Sequence, residues 1–142
     1  MKKIDCDFSK LVFDRGSFLD SIKFSQALLA IRVRFFEAQI GEGEEIQALD
    51  IPEATLYFKD LSFCERSIWP LDAMDGVEAR VERENLPEKA DDTNPEFTVF
   101  GESDEPPGLV QWDIRAANFD LDLEDEVYEK LVKSGFTCRL TR

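Results

Sequence analysis

Carboxylate side chains are the one chemical resource that this 142-residue chain has in excess, with 31 Asp and Glu against 17 Lys and Arg. Two carboxylates that flank a glycosidic bond can hydrolyse it when the pKa of one of them is raised. Nothing in the spacing of the acids singles out such a pair. The chain also lacks histidine, the side chain most often used as a general base near neutral pH. We therefore predict that the protein is not an enzyme, and a carboxylate-based hydrolase is the catalytic alternative.

Two Asp-rich segments could offer hard oxygen ligands to calcium, at residues 91–94 and 120–122. An EF-hand loop requires acids at alternate positions, a central glycine and a closing glutamate. Neither segment has this arrangement, and Pro95 interrupts the first. The sequence therefore predicts no dedicated metal site and no cofactor.

The three cysteines, Cys6, Cys64 and Cys138, are odd in number and spread singly along the chain. This pattern favours reduced thiols over a disulfide framework. A cysteine nucleophile would need a neighbouring base, and no histidine is available to act as one. The start, MKKIDCDF, has no apolar run after its two lysines, so no signal peptide is visible. We therefore expect a cytoplasmic protein.

The formal net charge of −14 restricts the partners of the chain. A field this negative repels nucleic acid and anionic membranes and attracts basic proteins. Phosphate-binding glycine loops are absent from the sequence, since Gly41 and Gly43 are followed by further acids that would repel a phosphate. No stretch approaches the length needed to span a bilayer. We therefore predict a basic protein partner and neither nucleic-acid nor membrane binding.

The acids are concentrated in the later part of the chain. Residues 72–105 contain twelve acids against three bases, and residues 120–129 contain six acids and no base. Such runs can be plain solvated surface, which is the alternative to a binding face. A protein of this kind is suited to mask a basic surface by charge complementarity. Small acidic immunity proteins, which inhibit nuclease toxins by capping a basic active site, have this role, and so do mimics of DNA charge.

If the acids converge on one face, they form the partner-binding surface. The candidate residues are Glu42, Glu44, Glu45, Glu78, Glu82, Asp91, Asp92, Asp104, Glu105, Asp120, Asp122 and Asp125. The alternative is an accessory or structural subunit that joins a larger assembly through an apolar face. Exposed aromatic side chains would then be its anchors, with Trp69, Phe36 and Phe100 as candidates.

Period-two alternation of apolar and polar residues recurs along most of the chain and predicts half-buried strands. The strand at 28–37 is the clearest, with Leu29, Ile31, Val33 and Phe35 expected on one face. Further strands are predicted at 2–9, from Ser21, at 54–68, at 76–84, at 96–102, at 109–124 and at the C-terminal tail. Residues 39–53 are predicted to be a loop.

We predict one domain, residues 1–142, of the mainly β (α+β) class. Its architecture is an antiparallel β-sandwich or a strongly bent sheet of about seven to nine strands. One short C-terminal helix is expected between Asp122 and Gly135, because acids precede lysines and a glycine follows. The inward-facing parity changes at Lys59-Asp60 and at 116–118, which predicts a turn or bulge at each place.

Overall fold

The computed structural model describes residues 1–25, 27–41, 43–70, 80–83, 94–104 and 107–141, the side chains of residues 21–24 and 83 excepted. Within these ranges the chain forms nine strands, one α-helix and two short 3₁₀ turns, at Phe8–Lys10 and Gly43–Glu45. The strands are β1 (Lys2–Cys6), β2 (Leu11–Val12), β3 (Phe18–Ser25), β4 (Leu28–Ile40), β5 (Gln47–Pro70), β6 (Arg80–Arg83), β7 (Glu96–Asp104), β8 (Pro107–Leu123) and β9 (Cys138–Leu140). The helix α1 (Asp125–Lys133) lies between β8 and β9.

The strands form one strongly bent, mixed sheet whose central members close on themselves. Neighbouring strands follow the order β6-β5-β4-β3-β7-β8-β1-β9, β2 pairs with β4, and β5 pairs again with β8. The pairings of β5, β4, β3, β7 and β8 therefore make a ring. All of them are antiparallel except β3 with β7. The predicted mainly β class with a short C-terminal helix is confirmed, and the bent sheet is the architecture found.

The interior of the ring is filled by aromatic and branched side chains, because alternate residues of each strand point inward. Phe58 of β5, Phe97 of β7 and Phe119 of β8 pack against one another with ring centroids 5.4–6.2 Å apart. Phe8, in the first 3₁₀ turn, contacts all three. The short segment after β1 is thereby fixed against the core.

The central strands β5 and β8 change their inward-facing parity at positions that face each other. Buried residues of β5 switch from Phe58 to Leu61 and return to even positions at Cys64, and those of β8 switch from Ala116 to Phe119. Asp60 has a positive φ of 54° and the pairing register shifts just beyond it. The predicted irregularities are therefore one coupled bend across two continuous strands, with no hairpin turn in either.

The predicted loop at 39–53 is wrong, because β4 continues to Ile40 and β5 already begins at Gln47. Pro52 lies inside β5, between the paired residues Ile51 and Glu53. Opposite it lies Phe35, whose φ of 62° interrupts the ladder. A proline without an N–H is tolerated where the ladder is already broken.

The same break overturns two expectations about side chains. Phe35 was expected to face inward with Leu29, Ile31 and Val33, but it is 63% exposed. Phe36, a predicted exposed anchor, takes the inward position and is buried. The helix also begins later than predicted, at Asp125, since Asp122 still pairs with Lys3 and Thr55 as part of β8.

Candidate functional site

Seven of the twelve candidate acids lie within the described part of the chain. Glu42, Glu78, Asp91, Asp92 and Glu105 lie outside it. The other seven acids are spread from one end of β5 to the other and over the elements beside it. Glu44 and Glu45 precede the start of β5, Asp122 faces Thr55, and the hairpin that carries Asp104 faces the end of β5 at Pro70. The structure therefore does not bring these seven acids together on one patch.

Three of these acids already have a cation beside them. Asp120 is buried and paired with Lys59, its diagonal neighbour on the adjacent strand. Glu82 of β6 accepts a hydrogen bond from Arg66, which lowers the pKa of its carboxyl, and Arg80 lies 3.3 Å away. Internal pairing explains these residues, so we leave Asp120 and Glu82 out of the candidate surface.

Asp125 is similarly occupied. The amino group of Met1 lies 3.0 Å from its carboxylate and lowers the pKa of that group through a hydrogen bond. The predicted acidic run at 120–129 therefore includes a buried ion pair at Asp120, an exposed ion pair between Asp125 and Met1, and exposed acids of α1 such as Glu126 and Glu129.

A different segment has acids that form no ion pair within the described part of the chain. We define the acidic hairpin as residues 36–51, the end of β4, the turn and the start of β5. It contains five acids and no Lys or Arg. Its two strands are paired from Phe36 with Ile51 to Ile40 with Gln47. The described acids are Glu37, Glu44, Glu45 and Asp50, and no ion pair joins any of these four to a described base.

Glu37 and Asp50 face each other directly across the two strands of the acidic hairpin. Their neighbours Phe36, Ala38 and Ile51 are buried, which places the two carboxylates on the outer face. Like charges opposite each other on an antiparallel pair are destabilising. The fold therefore holds two carboxylates together at a cost that a cation on that face would relieve.

The acidic hairpin is anchored firmly to the rest of the molecule. The Phe36 ring stacks on Phe13 at 5.2 Å, and β2 pairs with Ala38 and Glu37. At its base the hydroxyl of Ser17, itself fully buried, donates a hydrogen bond to the carbonyl of Phe35. The hairpin thus presents its outer face in a fixed orientation, as a binding surface requires.

Exposed apolar side chains stand at both ends of the acidic hairpin. Phe35 lies just before its base, and Ile46 in its turn is 48% exposed. The surface therefore combines carboxylates with an aromatic and an aliphatic side chain. Interfaces typically use such apolar anchors beside polar groups. Trp69, the predicted anchor, is 36% exposed but lies at the far end of β5.

A groove of about 670 Å³ runs beside the acidic hairpin, between it and the C-terminal segment. Lys10, Gln39 and Gly41 line one side, while Cys6 and Cys138 line the other. Burial, followed by the charges of Cys138, Asp5 and Asp7, raises the pKa of the Cys6 thiol to about 12. Burial also raises the pKa of Cys138. Both thiols are therefore protonated at neutral pH.

Because Cys6 keeps its proton in the native state, we predict that the protein loses stability at alkaline pH. An unfolded thiol ionises near 9, whereas the native Cys6 keeps its proton until about 12. Between these values the unfolded state holds fewer protons, so the free energy of unfolding falls as pH rises. Urea denaturation at several pH values should show this slope, and Cys6→Ala should make it shallower by about 1.4 kcal/mol per pH unit. An unchanged slope in the variant would mean that Cys6 is not the group responsible.

Among the described residues, no group of three or more acids or cysteines has an arrangement that could hold a metal ion. The helix found in those residues is too short and too polar to cross a membrane. Comparison with protein-family models, with curated proteins and with solved structures found no match to this chain.

The sequence points to the acids of the predicted 42–50 loop, which include Glu44, Glu45 and Asp50. It does not point to Glu37, at the end of a predicted strand, nor to the pairing of Glu37 with Asp50. One signal could have found them, since no Lys or Arg occurs between Arg34 and Lys59. A base-free stretch of that length in a strand-forming region indicates an uncompensated acidic surface.

Proposed function

We propose that the protein is a non-catalytic acidic binding module that covers a basic surface of a partner protein, and that the acidic hairpin is its main contact. An inhibitor of the immunity type, which masks a basic active site such as that of a toxin nuclease, is the form of this function that we favour. The observation that carries the proposal is the pair of acids Glu37 and Asp50, which face each other across the two strands and form no ion pair with a base of the described residues.

Charge supports the proposal in two ways. The net charge of −14 steers basic partners toward the protein over a distance of about one Debye length. On contact, lysines or arginines of the partner would relieve the repulsion between Glu37 and Asp50. Because this repulsion destabilises only the free protein, its removal makes the free energy of binding more favourable. Phe35 and Ile46 offer exposed apolar side chains near the two ends of the acidic hairpin.

The test is capture from a lysate of the native cell with three immobilised baits. One is the wild-type chain. The other two have the same net charge, since each loses four carboxylates. The hairpin variant is Glu37→Gln, Glu44→Gln, Glu45→Gln and Asp50→Asn, and the control variant is Glu102→Gln, Asp104→Asn, Glu126→Gln and Glu129→Gln.

We expect the wild type and the control variant to retain the same basic protein at low salt and to release it as salt rises from about 0.05 to about 0.5 M. The hairpin variant should retain at least tenfold less of it, about 1.4 kcal/mol in binding free energy. Equal capture by both variants would contradict the assignment of the surface. Absence of any salt-sensitive basic protein from the wild-type bait would contradict the function.

A further inference from the structure

The two cysteines beside the groove face each other across neighbouring strands. Cys6 ends β1 and Cys138 begins β9, and the antiparallel register of these strands places the two residues directly opposite. They are far apart in the chain, near its two ends, so the sequence alone gives no sign of the contact. The next pair along the ladder, Asp5 with Arg139, is joined by an ion pair of 2.8 Å, which holds the register.

The hydrogen-bond pattern shows which kind of pair the two cysteines form. The Thr141 amide donates to the Lys3 carbonyl at 2.9 Å, so these two residues belong to a hydrogen-bonded pair. Hydrogen-bonded and non-hydrogen-bonded pairs alternate along an antiparallel ladder. The pair after Lys3 with Thr141 is therefore not hydrogen-bonded, and the next pair, Asp5 with Arg139, is hydrogen-bonded. The pair after that, Cys6 with Cys138, is again a non-hydrogen-bonded pair. Cα atoms of a non-hydrogen-bonded pair are about 4.5 Å apart and their side chains are close.

This spacing lies within the range that a disulfide can bridge, at its short end. Both thiols are half-buried and line the open groove, so a small reagent can reach them. Cys64, in contrast, is only 1% exposed and packs in the core. We propose that Cys6 and Cys138 are a modification site, a dithiol that a low-molecular-weight disulfide oxidises to an intramolecular disulfide joining β1 to β9.

The reaction is an exchange in two steps. The Cys138 thiolate attacks one sulfur of the small disulfide and expels one small thiolate, which leaves a mixed disulfide on Cys138. The Cys6 thiolate then attacks Cys138 Sγ, forms the protein disulfide and expels the second small thiolate. The two protein thiols lose two protons and two electrons, and the small disulfide is reduced to two thiols. Cys138 reacts first because burial alone opposes its ionisation, whereas three neighbouring groups also oppose that of Cys6.

The test is oxidation of the native full-length chain with oxidised glutathione, followed by unfolding and alkylation. The site predicts one alkylated thiol per chain, a mass lower by two hydrogens and a proteolytic fragment in which Cys6 is joined to Cys138. Because the bond closes a very long loop, Tm should rise by about 10 °C and return after reduction with dithiothreitol.

Three variants serve as controls. Cys64→Ala should still form the bond, whereas Cys6→Ser and Cys138→Ser should not, and fragment mapping of the wild type gives the answer even if a variant fails to fold. Three alkylated thiols after oxidation, a bond to Cys64 or a bond between two chains would each overturn the proposal. The exchange uses none of the carboxylates of the acidic hairpin, so its outcome is independent of the proposed binding function.

Discussion

Replacement of Lys59 by Met is expected to destabilise the protein by about 2–3 kcal/mol. Asp120 is a buried carboxylate, and Lys59 is the cation that compensates it. Without Lys59, the buried carboxylate of Asp120 has no ion-pair partner among the described residues, and burying an unpaired charge is costly. Urea denaturation of the wild type and of Lys59→Met at neutral pH measures the difference.

The control is the double variant Lys59→Met with Asp120→Leu. Removing both partners avoids an unpaired buried charge, so most of the lost stability should return. If the single variant were as stable as the wild type, or if the double variant were less stable than the single one, the ion pair would not have the structural role that we assign to it.

Replacement of Gly101 by Ala is expected to cost about 3 kcal/mol, because a Cβ at this position would collide with the backbone. That atom would lie 2.5 Å from the carbonyl oxygen of Ser17. The next residue, Glu102, donates its amide to the same carbonyl at 2.7 Å and faces Phe18 in the one β3–β7 pair that the described residues show. The substitution therefore pushes β3 and β7 apart where the ring of strands closes.

Chemical denaturation and hydrogen exchange at the Glu102 amide together measure this effect. Gly135→Ala is the matched control, since Gly135 has a positive φ of 87° but a Cβ there would meet no atom within 4 Å, and it should cost about 1 kcal/mol. If both variants lost the same stability and the Glu102 amide kept its protection from hydrogen exchange, the tight packing at Gly101 would not be what joins β3 to β7.

The fold class could be predicted from the sequence because most strands alternate cleanly between core and solvent. The prediction failed where a backbone irregularity changed that alternation. Phe35 adopts a positive φ and turns outward, which shifts Phe36 inward and lets Pro52 remain inside β5. Phenylalanine is not a residue that signals such a conformation, so neither its exposure nor the long hairpin beyond it could be anticipated.

The candidate site was harder to predict from the sequence than the fold, because the pairing register of the strands decides which of its residues lie together. Charge counting identified acidic runs, and internal partners such as Lys59 and Arg66 neutralise members of two of them. Glu37 and Asp50 belong to different strands on either side of a turn, so only the pairing of β4 with β5 shows that they face each other. The same holds for Cys6 and Cys138, which come together only because β9 returns to β1.

The most direct test of the proposed binding surface is an NMR titration of the isotope-labelled protein with a lysine decapeptide at low salt. We expect the largest amide shifts to fall within residues 36–51, with Glu37 and Asp50 among the most affected, and to disappear at high salt. Shifts of equal size at Glu102, Asp104 and the exposed acids of α1, or shifts that persist at high salt, would contradict it.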